Sequence, residues 1–177
     1  IGFIFLTFVD FNEFRLLIPL LLGSTVILLF SFYEDIRQSL SPFFRLVILF
    51  LGSSIFILFT ELPEINVRYL DFINQYSLIS FLIFTFSLML LMNGFNFIDG
   101  LNGLSSFNFY SILFSAYYLA VILGDAFLVD LVIIFFLSSI LVFILNFPLG
   151  RIFIGDSGSY LYAFFSGALV IYLFSRH

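Results

Sequence analysis

Six stretches of this sequence are apolar over lengths typical of membrane-spanning helices. A helix needs roughly 20 consecutive, mainly apolar residues to cross the hydrocarbon core of a bilayer. The predicted spans are 17–33, 43–60, 77–93, 105–123, 127–145 and 159–175. The breaks between them carry polar residues and turn formers, as expected when charges are expelled from hydrocarbon. The sequence therefore predicts an all-α, polytopic transmembrane helical bundle with about six spans.

The composition excludes a soluble fold and several kinds of chemistry. Hydrophobic residues make up 63% of the chain and charged residues 10%, against about 45–50% and about 25% in soluble domains. The excess apolar surface must face membrane lipid. The absence of cysteine excludes disulfides, thiol catalysis and cysteine-type zinc sites. The net charge of −5 and the lack of a basic patch argue against nucleic acid as a partner.

The two ends of the chain are interpreted as cut. The chain begins at Ile1 with an apolar run, residues 1–9, that is too short to span a bilayer. It ends directly after the last apolar stretch. No internal repeat or interdomain linker divides the sequence. We therefore expect residues 1–177 to form one integral membrane domain that is incomplete at both ends.

Six crossings distribute the connections between spans over two faces of the membrane. The connections on the side reached after the first span, called face A, are 31–42, 93–104 and 146–158. The connections on the opposite side, called face B, are 9–15, 61–76, 124–126 and the C-terminal end. Each face carries three arginines, so the positive-inside rule does not orient the chain. Face A combines carboxylates, asparagines and glycines, and these three sets are predicted to converge on one site.

The first face A set contains the adjacent carboxylates Glu34 and Asp35. Two carboxylates at a helix end can hold a hydrated Mg²⁺, with substrate phosphates completing its shell, or one can act as a base. The alternative is an interfacial loop in which both acids pair with Arg37.

The second set places Asn93, Asn96 and Asp99 three residues apart, with Asn102 following at the same interval. If the segment is helical, the first three lie roughly on one face, with Asn102 near its edge. Polar side chains against an apolar wall near a bilayer usually line a site or a water-filled cavity. The alternative is an ordinary helix end, where Asn and Gly act as stop signals.

The third set, just before the last span, contains Arg151, Asp156, Ser157 and Ser159. Asp156, Ser157 or Ser159 could cap the last helix. The functional interpretation places Asp156 as a metal ligand and Arg151 as a phosphate contact.

Together, the three sets resemble the polyprenyl-phosphate N-acetylhexosamine-1-phosphate transferase family, relatives of phospho-N-acetylmuramoyl-pentapeptide-transferase. The resemblance rests on Glu34-Asp35, on Asn-x-x-Asn-x-x-Asp-Gly-Leu-x-Gly-Leu at 93–104 and on Ile-Gly-Asp-Ser-Gly-Ser at 154–159, and also covers Arg45. It implies transfer of a sugar-1-phosphate from a UDP-N-acetylhexosamine to undecaprenyl phosphate, with release of UMP. It further implies Mg²⁺, with Mn²⁺ as an alternative, and a multi-pass protein of the bacterial inner membrane. The active site would lie on the cytoplasmic side, in a pathway of cell wall or lipopolysaccharide synthesis, and a homodimer is compatible with it.

The resemblance also implies roles for individual residues, carried over by motif position. Asp156 resembles the principal Mg²⁺ ligand. Glu34 and Asp35 occupy the paired-aspartate position proposed to deprotonate the lipid phosphate, and Asp35 also to help hold the metal. The expected catalytic residues are therefore Glu34, Asp35 and Asp99. The expected substrate-binding residues are Asn93, Asn96, Asp99, Asn102 and Arg151.

The sequence departs from the family pattern in three respects. Glu34 and Asn102 stand where aspartates are common in the family, so a carboxylate role at residue 102 is lost. A histidine-rich loop and earlier spans of the family lie outside these 177 residues, so we expect the piece alone to be inactive. The sugar and the pathway are not determined by the sequence.

Two other functions compete with the transferase. A transporter or channel subunit would distribute ionisable groups along its spans, whereas here they cluster at one membrane edge. A non-catalytic membrane scaffold would not require Asp99 and Asp156 to come together.

Overall fold

A computed structural model describes residues 11–37, 41–68, 70–101 and 103–177 of the chain. Within these ranges the structure consists of helices and connections, with no β-strand. The helices are α1 (Phe11–Arg37), α2 (Pro42–Leu58), α3 (Phe72–Gln75), α4 (Ser77–Ile98), α5 (Leu104–Leu123), α6 (Ala126–Asn146) and α7 (Gly155–Arg176). The predicted all-α bundle is confirmed.

Five helices, α1 and α4–α7, are long and apolar enough to cross a membrane by length and composition. The remaining predicted span, 43–60, corresponds to α2, an apolar helix of 17 residues. Such a helix lies at the lower limit of length for a span. The protein is therefore a multi-pass membrane protein with the six helices that the sequence predicts.

The two prolines near the predicted span starts behave differently. Pro42 is the first residue of α2, where its missing N–H costs nothing, and Ser41 caps the helix by accepting a hydrogen bond from the N–H of Phe44. Pro19 lies inside α1, because this helix begins at Phe11 and not near the start of the apolar stretch.

The last helix, α7, occupies the centre of the bundle. It contacts α1, α4, α5 and α6. Within its most apolar window 72% of the residues are buried, against 28–39% in the other four long helices. Small residues such as Ala163, Ser166 and Gly167 on α7 let neighbouring helices approach closely. The face A residues of α7 are therefore placed where several helices meet.

Helices α1 and α2 approach each other closely at Gly23 and Gly52. A Cβ atom at Gly23 would lie 2.8 Å from the carbonyl oxygen of Gly52 and 2.9 Å from Cζ of Phe164. The carbonyl belongs to the backbone of α2 and cannot move aside without displacing that helix. Glycine at position 23 is therefore required by the α1–α2 packing, which also sets the distance between Glu34 and α2.

We expect Gly23→Ala to lower the free energy of unfolding by about 1–3 kcal/mol, the usual cost of overpacking a well-packed interior. Gly94→Ala is the matched control, because no atom lies within 4 Å of its added Cβ. Alanine there should raise stability by about 0.5–1 kcal/mol, since glycine is unfavourable within a helix. Denaturant unfolding of both variants in detergent micelles checks this, and equal effects would contradict the packing argument.

An ion-paired cluster closes the face B end of the bundle. Asp125 is buried, caps α6 by accepting a hydrogen bond from the N–H of Leu128, and pairs with Arg176 at 2.7 Å. Nε2 of His177 lies 3.1 Å from the same carboxylate. Burial raises the pKa of Asp125, but the hydrogen bonds from Arg176, Leu128 and His177 outweigh this effect and hold the pKa below its usual value. The cluster fastens the end of α7 to the α5–α6 connection.

Candidate active site

The N-terminus of α7 is capped by a side chain from another helix. The carboxylate of Asp35, near the end of α1, accepts hydrogen bonds from the N–H groups of Asp156 and Ser157, each at 3.0 Å. The hydroxyl of Ser157 donates to the same carboxylate. These amides have no partner within their own helix, so a carboxylate at this position satisfies them and complements the helix dipole. Capping by Asp156, Ser157 or Ser159, one of the two sequence interpretations, is therefore wrong.

Gly155 makes this cap possible. Its φ of +73° is a left-handed conformation that L side chains rarely adopt. A Cβ atom at this position would lie 3.2 Å from Oδ2 of Asp35 and 3.4 Å from its Oδ1. The glycine therefore sets both the direction of the chain entering α7 and the close approach of α1.

A single guanidinium joins the first and third face A sets. Arg45, three residues into α2, places Nη2 2.6 Å from Oε1 of Glu34 and Nη1 3.0 Å from Oδ2 of Asp156. The side chain of Glu34 is only 4% exposed, and that of Asp156 is 23% exposed. Glu34 thus pairs with Arg45, whereas the alternative interpretation of this segment gave Arg37 as its partner.

The second set approaches α7 from α4. The amide nitrogen of Asn96 donates to the hydroxyl of Tyr160 at 2.6 Å. The pKa of Asp99 is raised to about 6, mainly by burial and also by the negative charges of Asp156 and Asp35. The N–H of Gly155 donates a hydrogen bond to Asp99, which acts in the opposite direction. Asp99 is therefore close enough to both other aspartates for their charges to act on it. The structure brings all three face A sets to one place.

An open cavity of about 490 Å³ lies beside these residues. Its lining consists of Asn93, Asn96, Phe97, Asp99, Gly100, Phe153, Gly155 and Asp156. The residues of the predicted shared face, Asn93, Asn96 and Asp99, therefore all line the cavity, and Asp156 lines it as well. Two of the lining residues, Phe97 and Phe153, are apolar and 89% and 76% exposed.

Asn146 holds together the two connections that form this region. Its side chain is buried, accepts a hydrogen bond from the N–H of Gly103 at 2.7 Å and donates to the carbonyl of Ile152 at 2.9 Å. The α4–α5 connection, directly before α5, and the segment before α7 are therefore fixed to the end of α6.

Comparison with known proteins assigns the sequence to a family. The sequence model of glycosyl transferase family 4 matches residues 17–174, which include all of the cavity lining. The chain belongs to glycosyl transferase family 4. Neither the curated proteins nor the solved structures gave a significant match. Family membership makes this chain a membrane transferase of the glycosyl-1-phosphate type, acting on a lipid-linked substrate, and it confirms the resemblance drawn from the sequence motifs.

The predicted site residues of this family 4 chain are not all equivalent in the structure. Asn93, Asn96, Asp99 and Asp156 line the cavity, and Asp35 contacts the backbone of the segment that carries Asp156. Glu34 is buried against Arg45 and is absent from the lining. Arg151 is exposed and also lies outside the lining. Asn102 lies outside the described residues, so its predicted role stays a prediction.

The family resemblance covers Arg45 but gave it no role, and sequence reasoning did not single out Tyr160 or Asn146 as parts of the site. For Arg45 a signal existed, because it stands inside a predicted span, 43–60, and a charge there needs a partner. Its partners could not be named from the sequence. Asn146 and Tyr160 resemble ordinary residues at the end or start of a span.

The donor set of the cavity fits a magnesium ion. In the part of the chain that the structure describes, no group of three or more His, Cys, Asp or Glu side chains could hold a metal ion by itself. Mg²⁺ does not need such a group, since it is usually bound by one or two carboxylates together with substrate phosphates and water. Asp99 and Asp156 both line the cavity and supply hard oxygen donors. Both oxygens of Asp35 already accept hydrogen bonds from α7, so Asp35 fits a ligand role less well.

Proposed function

We propose that this family 4 transferase moves N-acetylhexosamine-1-phosphate from a UDP-N-acetylhexosamine to undecaprenyl phosphate. The reaction would release UMP on the cytoplasmic side of a bacterial inner membrane and initiate an envelope polysaccharide such as lipopolysaccharide. The observation that carries the proposal is the convergence of Asp35, Asp99 and Asp156, from three distant segments, beside one open cavity at the end of the bundle.

The position of the cavity suits both a water-soluble sugar nucleotide and a lipid phosphate embedded in the membrane. It opens where α4 ends and α7 begins, at the end of helices that are long enough to span a bilayer. A sugar nucleotide can enter such a cavity from water. Phe97 and Phe153 in its lining are apolar and exposed, which favours contact with the chain of a lipid phosphate.

The chemistry requires positioning and charge neutralisation more than covalent help. An oxygen of the lipid phosphate attacks the phosphorus that carries the sugar. The bond from that phosphorus to the bridging oxygen breaks, and UMP leaves with the electron pair. Mg²⁺, held by Asp156 together with the substrate phosphates and water, would neutralise the charge of the diphosphate. The amides of Asn93 and Asn96 would bind polar groups of the sugar nucleotide.

Asp99 is also suited to take up a proton. With a pKa raised to about 6, its carboxyl group matches the second pKa of a phosphate monoester, which is about 6. Proton transfer between groups of matched pKa, close to the operating pH, is efficient. Asp99 would accept the proton from the lipid phosphate before attack.

The experiment uses membranes containing the full-length protein, undecaprenyl phosphate, Mg²⁺ and radiolabelled UDP-N-acetylglucosamine. We expect label to enter the lipid phase together with an equal amount of UMP, and chelation of the divalent cation to stop both. UDP-N-acetylgalactosamine and 6-deoxy sugars are tested in parallel to identify the sugar. A folded protein that transfers none of these hexosamines in the presence of Mg²⁺ would contradict the proposal.

A further inference from the structure

We propose that Glu34 and Arg45 form a positioning pair: Glu34 holds Arg45, and Arg45 fixes the direction of the Asp156 carboxylate. The inference rests on the proposed function, because it assigns Asp156 a role toward the substrates. It removes Glu34 from the group of residues that react and adds Arg45, which the family motifs alone do not place in a role.

The burial of Glu34 carries the first step. Its side chain is 4% exposed, accepts a hydrogen bond from Nη2 of Arg45 at 2.6 Å, and is absent from the lining of the cavity that Asp99 and Asp156 share. The pocket that it does line, together with Arg45 and Asp156, has a volume of only about 10 Å³, which is room for about one water molecule. A base must come within hydrogen-bond reach of the proton that it removes. A carboxylate that is buried, paired with an arginine and enclosed in so small a pocket does not meet this requirement.

The geometry of Arg45 carries the second step. Its two terminal nitrogens contact carboxylates on two different helices, Glu34 on α1 and Asp156 on α7. Because the guanidinium is planar and rigid, fixing one nitrogen against Glu34 fixes the direction of the other. The side chain of Asp156 is therefore held from α2 while its N–H is held by Asp35 from α1. Hydrogen-bond partners of this kind usually set the orientation of a ligating group.

The test compares variants of Glu34 that differ only in whether Arg45 keeps its acceptor. Glu34→Gln removes the charge but retains an oxygen that can accept from Arg45, whereas Glu34→Leu retains the size and removes the acceptor. Glu34→Leu and Arg45→Gln should each lower kcat about 10–100-fold, the usual effect of losing such a partner. Glu34→Gln should stay within about tenfold of the wild type. The double variant Glu34→Leu/Arg45→Gln should lose no more than the more damaging single change, because both act through one contact.

A second readout reports on the structure without activity. Hydrogen exchange of the peptide covering 154–160 should be faster in Glu34→Leu and in Arg45→Gln than in the wild type. Glu64→Leu is the matched control, since Glu64 is exposed in the connection on face B, and it should change neither kcat nor exchange.

The alternatives give different patterns. Equal inactivation by Glu34→Gln and Glu34→Leu, with unchanged exchange, would make Glu34 the base and overturn the pair. A raised KM for the sugar nucleotide in Arg45→Gln, again with unchanged exchange, would make Arg45 a direct phosphate contact and also overturn the pair.

If the wild type transfers no sugar, the proposed function fails by itself. The exchange comparison then still supports the pair if Glu34→Leu loosens 154–160 and Glu64→Leu does not, and overturns it otherwise.

Discussion

Replacing Asp156 by asparagine is expected to lower the rate of sugar-phosphate transfer about 10³-fold, which is the scale of losing a preorganised electrostatic group. The protein should remain folded. Asp156 lines the cavity, pairs with Arg45 and lies in the first turn of the central helix α7. Asparagine keeps the shape and an acceptor for Arg45 but removes the negative charge that would hold a divalent cation. The measurement is the initial rate of label transfer to lipid at saturating Mg²⁺ and UDP-sugar.

The matched control for this loss is Asp71→Asn. Asp71 is exposed, precedes the short helix α3 and lies on face B, away from the cavity. The same chemical change there should leave the rate within about twofold of the wild type, since surface substitutions usually have small effects. Thermal unfolding in detergent should be unaltered in both variants. If Asp156→Asn retains a tenth or more of the wild-type rate, its charge is not needed for transfer.

Gly155→Ala is expected to have the second large effect and to lower kcat about 10²-fold. This is the scale of a misplacement of about 1 Å in an active site. Alanine would be forced into a φ of +73°, and its Cβ would press on both oxygens of Asp35, at 3.2 and 3.4 Å. Because Asp35 caps the amides of Asp156 and Ser157, displacing it changes the position of the first turn of α7. The measurement is kcat together with hydrogen exchange of residues 154–160.

Gly124→Ala separates the backbone strain from the contact with Asp35. Gly124 has nearly the same conformation, with φ of +71°, but no atom lies within 4 Å of an added Cβ. Both variants should lose about 1–2 kcal/mol of stability from the left-handed backbone conformation. Only Gly155→Ala should lose activity, since Gly124 lies between α5 and α6 on face B. Equal losses of activity would show that strain alone, and not the position of Asp35, causes the effect.

The spans and the placement of the polar segments follow from the sequence because the membrane imposes them. The thickness of the hydrocarbon core fixes the length of each apolar stretch, and counting crossings places 31–42, 93–104 and 146–158 on one side. Helical periodicity was sufficient to put Asn93, Asn96 and Asp99 on one wall of the cavity. Motif spacing was sufficient to identify the family, which the match over 17–174 confirms.

The contacts within the site depend on distances between helices that are far apart in the chain. Asp35 and Asp156 are 121 residues apart, so no local pattern indicates that one caps the helix containing the other. Arg45 resembles an isolated charge in an apolar span until α1 and α7 pack on either side of it. The sequence by itself determined which residues reach this end of the bundle. Only the packing around α7 decided which of them face the cavity and which hold the others, because hydropathy and periodicity specify the face of each helix but not its neighbours.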